Sequence, residues 1–103
     1  MIKVVDGRRF NTETAERVAC ASSGGSQGDF RFFSEELFLT PKGTWFIAGE
    51  GGAASKYRER AGDMWGWGSK ITPLTPDEAL DWLEAHDEVD QLEKHFGDQI
   101  EDA

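Results

Sequence analysis

The residues with the most chemical potential are carboxylates. Asp77, Glu78, Asp81, Glu84, Asp87, Glu88, Asp90 and Glu93 recur at short intervals near the C-terminus. Residues three and four apart share one face of a helix. If a single helix runs through the segment, 77, 81, 84 and 88 form one row, with 87 and 90 close by. Like charges at that spacing cost a helix roughly 0.2–0.5 kcal/mol per pair, so a retained row points to a use. The use it suits is attraction of a basic surface, such as a groove built to hold DNA or RNA. The plainer alternative is a solvated helix face with a frayed acidic tail.

Other chemistries find less support. Gly51-Gly52-Ala53-Ala54-Ser55-Lys56 has the flavour of a phosphate loop, but such a loop needs Gly directly before Lys and a hydroxyl after it. Here Ser55 precedes Lys56 and Tyr57 follows, so a backbone turn leaving a strand is the better reading. His86 and His95 are the only imidazoles. Nine residues apart, they face different directions on a helix. No cysteine pair and no twelve-residue calcium loop accompany them, so no metal or cofactor is expected. Cys20 is the sole thiol, and a buried small hydrophobe is the usual fate of such a residue. Carboxylate pairs for acid–base work need a defined separation and one shifted pKa, which abundance alone does not supply. The expectation is a protein that is not an enzyme. Trp65-Gly66-Trp67 is the remaining signal. Indoles among glycines are either interface anchors or a lid folded over a sheet.

Charge is segregated along the chain. Asp and Glu number 20 against 11 Lys and Arg, a net charge of −9. Residues 1–76 hold 9 acids and 10 bases, whereas 77–103 hold 11 acids and one base, Lys94. Segregation of this kind makes a directional field. The acidic quarter repels phosphate and argues against that segment binding nucleic acid.

The elements that position these residues follow from local patterns. The chain of 103 residues, with 12 % aromatic content, fits one domain; 98–103 reads as a frayed acidic tail. No apolar run approaches the 18 residues of a membrane span, and no leader-like apolar stretch opens the chain. The lone cysteine suits a reducing compartment, so a cytoplasmic location is expected. Met1–Val5 and Arg8–Asn11 read as strands around an Asp6-Gly7 turn of type I′. A turn over 11–15 precedes a strand over Glu16–Ser22, and Ser22–Asp29 reads as a loop. Leu37–Thr40 and Thr44–Ala48 form a β-hairpin about Pro41-Lys42-Gly43. Its apolar residues fall on both faces, which predicts a central position covered on both sides. Gly49-Glu50-Gly51-Gly52 is expected to end the second strand after Ala48, Ala53–Ala61 to form a short helix and Gly62–Ser69 a loop. Lys70–Leu74 is an edge strand, where Pro73 is tolerated.

Thr75-Pro76-Asp77-Glu78 is a helix start with a capping box. That helix should run to Ala85 or His86, with Asp87 capping a second helix that ends at Gly97. The fold class is therefore α+β: an antiparallel sheet centred on the hairpin, with the C-terminal helical pair packed on it through Leu80, Leu83, Val89, Leu92 and Phe96.

A resemblance adds to this. Lys3-Val4-Val5-Asp6-Gly7-Arg8-Arg9-Phe10-Asn11-Thr12-Glu13-Thr14-Ala15 resembles the opening of a group of small proteins from phages and other bacterial mobile elements. So do Trp45-Phe46 followed by Gly49-Glu50-Gly51-Gly52, and Pro73-Leu74-Thr75 leading into Glu78-Ala79 and Trp82-Leu83. Some members of that group are similar to anti-CRISPR proteins. The resemblance implies an inhibitor that binds a CRISPR effector complex of the bacterial host. Its motifs look structural and transfer no site residues. The functional expectation is a non-enzymatic inhibitor whose partner is a protein, a basic nucleic-acid-binding subunit. Asp81, Glu84, Asp87, Glu88 and Asp90 would steer it, with Trp65 and Trp67 as anchors. The alternative is a small nucleic-acid-binding or adaptor module that uses Arg8, Arg9, Arg17, Arg31, Lys56, Arg58 and Arg60.

Overall fold

In a computed structural model, which describes residues 1–26 and 28–103, the described residues form eight strands, then two helices and a short 3-10 turn over Gly97–Gln99. Gln27, inside the expected loop over Ser22–Asp29, lies outside the described residues. The first hairpin joins β1 (Ile2–Val5) to β2 (Arg8–Asn11). Its turn has Asp6 at φ 53° and Gly7 at φ 77°, the two positive values that a type I′ turn requires.

The main sheet is antiparallel, in the order β3–β4–β5–β8. It contains β3 (Glu16–Ser22), β4 (Phe33–Leu39), β5 (Trp45–Gly51) and β8 (Gly68–Leu74). The expected hairpin is its centre, with Leu37 opposite Ile47 and Phe38 opposite Phe46. Alternation then divides the apolar side chains between two faces. On one face Val18, Leu37, Trp45 and Ile47 meet Ala79, Leu83 and Phe96 of the helices. On the other, Phe38, Phe46, Ala48 and Ile71 meet Phe10 of the first hairpin. Phe38 stacks on Phe46 at 5.1 Å between centroids, and Phe10 approaches the same ring edge-on at 5.3 Å. Both sides of the hairpin are thus covered. Pro73 lies on the edge strand, where no outward ladder bond is lost.

Several expectations need correction. β5 does not stop after Ala48 but continues to Gly51. A Cβ at Gly49 would fall inside the Tyr57 ring, so glycine serves close packing there rather than termination. Ala53–Ala61 is not a helix. Turns run to Tyr57, held by Gly52 N–H to Phe32 C=O (2.8 Å) and Ala54 N–H to Phe30 C=O (2.7 Å). Strand β6 (Glu59–Ala61) follows and pairs with β7 (Met64–Gly66). The expected loop over Gly62–Ser69 is therefore a two-stranded ribbon running into β8. Among the expected packing residues, Val89 stays 58 % exposed.

The helices are α1 (Pro76–Ala85) and α2 (Val89–Phe96). The capping box is complete: Glu78 N–H donates to Thr75 Oγ1 at 3.1 Å, and Thr75 N–H donates to Glu78 Oε1 at 2.9 Å. Asp87 does not cap α2, whose N-cap is Glu88 without a side-chain bond. Instead Asp87 closes α1. It sits at φ 55°, with Glu88 N–H on Leu83 C=O (3.0 Å) and Asp87 N–H on Glu84 C=O (3.2 Å). That is the Schellman arrangement, with aspartate at the left-handed position usually held by glycine. No helix among the described residues is long and apolar enough to cross a membrane.

Candidate functional site

The acidic residues divide between the two helices, because the Asp87 turn breaks the continuous row that a single helix would give. Asp77, Glu78, Asp81 and Glu84 lie on α1; Glu88, Asp90 and Glu93 lie at its end and on α2. Asp81, Glu84, Asp87 and Asp90 are exposed and Glu88 is half-buried. Among the described residues, ion pairs form between Arg17 and Glu36, Lys56 and Glu35, and Lys94 and Glu16, with His95 4.0 Å from Glu16. None involves a carboxylate of 77–93. The one base of the acidic quarter, Lys94, turns away to β3, 3.5 Å from Glu16. Among the described residues, no contact neutralises the negative field of the helices.

The two indoles lie elsewhere. Trp65 is 45 % exposed on β7, and Trp67 is 44 % exposed just before β8. Trp67 stacks on Phe32 at 6.2 Å between centroids. Over Trp65 lie two guanidiniums, Arg58 at 4.4 Å and Arg60 at 5.2 Å from the ring centroid. The β6–β7 register explains this, since Arg60 is directly opposite Trp65 and strand positions two apart share a face. Neither guanidinium has a carboxylate partner among the described residues. Among the described residues no hydrogen bond, ion pair or aromatic contact joins the ribbon to the helices there. The structure therefore holds the candidate residues in two groups of opposite sign: the acidic helical pair, and an aromatic ribbon flanked by arginines. The remaining basic residues are dispersed, with Arg17 paired to Glu36, Lys56 to Glu35, and Arg8 bonded to Thr44.

Between the helices and the sheet is a polar cluster that the sequence reading missed. Glu35, 6 % exposed on β4, accepts hydrogen bonds from Tyr57 OH and, at 3.2 Å, from Trp82 Nε1, while Lys56 Nζ lies 2.9 Å away. Burial pushes the Glu35 carboxyl up. The Tyr57, Lys56 and Trp82 hydrogen bonds and the Lys56 charge outweigh that and hold it below its usual range. Burial pushes the Tyr57 phenol up, and the bond to Glu35 and its negative charge add to that. A shallow cavity of about 310 Å³ opens beside the cluster, lined in part by Lys70 and Thr72. With both carboxylate oxygens engaged and the charge held on, Glu35 is a clamp rather than a proton acceptor poised near neutral pH. A signal was available in the sequence: Glu35 lies two positions before Leu37 and so shares its helix-covered face.

The other candidate chemical residues stay apart. Cys20 is not buried as expected but exposed on the edge strand β3. His86 Nδ1–H donates to Trp82 C=O at 2.8 Å, and its ring sits 4.1 Å from the Trp82 ring. His95 packs edge-on to Trp45 at 5.2 Å. No group of three or more His, Cys, Asp or Glu suited to hold a metal ion occurs among the described residues. Lys56, the would-be phosphate-loop lysine, is committed to Glu35. No protein family, curated protein or solved structure matches the chain.

Proposed function

We propose that the protein is a non-enzymatic inhibitor that binds a basic, nucleic-acid-handling subunit of a CRISPR effector complex in the bacterial host cytoplasm. The α1–α2 carboxylates take the place of a phosphate row, and their occupancy of the partner's channel keeps DNA out. One observation carries this reading: Asp77, Asp81, Glu84, Asp87, Glu88, Asp90 and Glu93 have neither an ion-pair nor a side-chain hydrogen-bond partner among the described residues. Charges left open in this way act at a distance and accelerate encounter with a cationic surface. Along α1 they recur every 4.5–6 Å or so, from about 1.5 Å of rise per residue. Duplex phosphates are denser, about one per 3.4 Å on each strand. The imitation is therefore of the field, not atom for atom. The likeness to anti-CRISPR-like mobile-element proteins supplies the choice of partner.

Trp65 gives a second point of contact. A half-exposed indole beside arginines that have no carboxylate partner among the described residues suits an acidic, partly apolar element of the partner, away from the basic channel. The same ribbon favours the second reading, a nucleic-acid-binding module, because guanidiniums and an exposed indole also suit phosphate and base stacking.

A gel-shift competition separates the two. With a purified effector complex and its labelled target duplex, the native protein is expected to displace DNA. The triple variant Asp81→Lys, Glu84→Lys, Glu88→Lys should lose that effect while remaining folded. Equal competition by the variant would remove the mimicry. A shift of labelled DNA by the isolated protein at low salt would favour the second reading.

A further inference from the structure

A groove of about 580 Å³ lies between α1, α2 and the chain that follows them. Leu80, Val89, Leu92 and Ile100 form apolar walls, and Glu84 and Glu93 stand among them. Val89 is 58 % and Ile100 45 % exposed, so two large apolar side chains face water within the most acidic part of the molecule. The volume falls in the range of ligand-binding pockets, about 300–1,000 Å³. Phosphate mimicry has no use for an apolar floor, because a phosphate-binding surface is read by charge.

We infer that this groove receives a basic segment of the partner that inserts one or two large apolar side chains flanked by Lys or Arg. The inference rests on the acidic-face reading above and specifies what the partner must present. Charge complementarity selects the occupant. Glu84 and Glu93 are unpaired among the described residues, and a segment that buries its apolar residues between them brings any flanking charge within a few ångströms of both. Lysine or arginine gains there; an acidic segment or a phosphate is repelled. An uncharged apolar segment leaves the carboxylates facing a desolvated contact without partners, which is costly. This division of labour, with long-range steering by the open carboxylates and short-range selection by the groove, separates association rate from residence time.

The probes are three labelled synthetic peptides of equal length: one with Leu and Arg at helical spacing, one with each Leu replaced by Ser, and one with each Arg replaced by Glu. Fluorescence anisotropy should show the Leu/Arg peptide binding at least tenfold tighter than the Ser/Arg peptide, and the Leu/Glu peptide not binding. Val89→Ser with Ile100→Ser should abolish the Leu/Arg advantage without changing the salt dependence, since both residues are exposed and neutral. Glu84→Lys with Glu93→Lys should reverse the preference toward the Leu/Glu peptide. Equal binding of the Leu/Arg and Ser/Arg peptides would overturn the groove. So would concentration-dependent dimerisation that is lost on Arg58→Glu with Arg60→Glu, since the occupant would then be a second copy's Met64–Trp65 ribbon. In the effector competition, loss with Asp81→Lys, Glu84→Lys, Glu88→Lys but not with the serine pair removes the groove and leaves the proposed function standing. Retained competition by all variants, alongside selective Leu/Arg binding, removes the proposed function and leaves the groove.

Discussion

Trp82 on α1 donates its indole N–H to Glu35 on β4 across 3.2 Å, linking positions 47 apart in sequence. The bond ties the helix that carries Asp81 and Glu84 to the central strand pair. Trp82 follows Asp81 directly, so as the indole turns inward to the sheet the neighbouring carboxylate is held outward. The orientation of the acidic face is thereby set by a half-buried contact to the sheet.

Truncation of the clamp is expected to be among the more damaging single changes. Glu35→Ala strands the Tyr57 hydroxyl and the Trp82 indole N–H and releases Lys56. A loss of about 3 kcal/mol in urea unfolding is expected, from partner-removal costs of about 1–3 kcal/mol per buried group. Glu35→Gln keeps an acceptor and should lose less, about 1–2 kcal/mol. A change under about 0.5 kcal/mol for the alanine variant, the range of an ordinary surface substitution, would show that the cluster does not clamp.

The same cluster contributes at both ends of the pH profile. Glu35 has a folded pKa below its ordinary 4.5. Its contribution is therefore complete above that value and is lost as pH falls through the lower folded one. Tyr57 is raised above its ordinary 10.0. The folded state holds that proton more tightly, so its contribution is complete below pH 10 and is lost as pH rises toward the folded value. Tyr57 is the only tyrosine, so near-ultraviolet phenolate absorbance follows it directly. No phenolate should appear near pH 10 in the folded protein, and Tyr57→Phe should remove the alkaline loss of stability. Ordinary titration at pH 10 in the native state would contradict the burial of the phenol.

At Asp87 the proposed function sets stability against binding. A non-glycine residue in the left-handed region costs roughly 1–2 kcal/mol relative to a right-handed one, and glycine avoids that cost. Asp87→Gly is expected to raise stability by about 1 kcal/mol while weakening attraction to a basic partner by removal of one open carboxylate. A calorimetric midpoint that does not rise would show the turn to be indifferent to this residue.

Trp65 tests the second point of contact. Half-exposed on a ribbon, its change to Ala should alter stability by no more than about 1 kcal/mol. Binding to the effector complex should weaken by about tenfold or more, the size of an anchor residue, with the salt dependence unaltered. Unchanged affinity would confine the interface to the helices.

How much of this was legible in the sequence depends on which force set each element. The β4–β5 hairpin could be read because apolar residues on both faces leave only a central, doubly covered position. The capping box could be read because Thr75, Pro76 and Glu78 act locally. The ribbon could not, since Glu59-Arg60-Ala61 has no apolar period and its pairing depends on a turn at Gly62 (φ 64°). The 53–61 segment has helical propensity, but Tyr57 packed over Gly49 overrides it. Of the candidate site, the open carboxylates were legible as composition and spacing. The break at Asp87 was not, because aspartate at a left-handed position looks like an N-cap in sequence. The arginines over Trp65 depended on the unforeseen register, and the charge of Glu35 concealed its burial.

In the proposed function, the open carboxylates of α1 and α2 drive recognition. The most direct test of that role is the affinity for a purified CRISPR effector complex as a function of salt, native against Asp81→Lys, Glu84→Lys, Glu88→Lys. Screening shortens from about 10 Å at 0.1 M to about 3 Å at 1 M. Native binding is expected to fall steeply over that range, and the variant to bind weakly at every salt concentration with a flattened dependence. Native affinity that is indifferent to salt, or a variant that binds as the native protein does, would contradict that role.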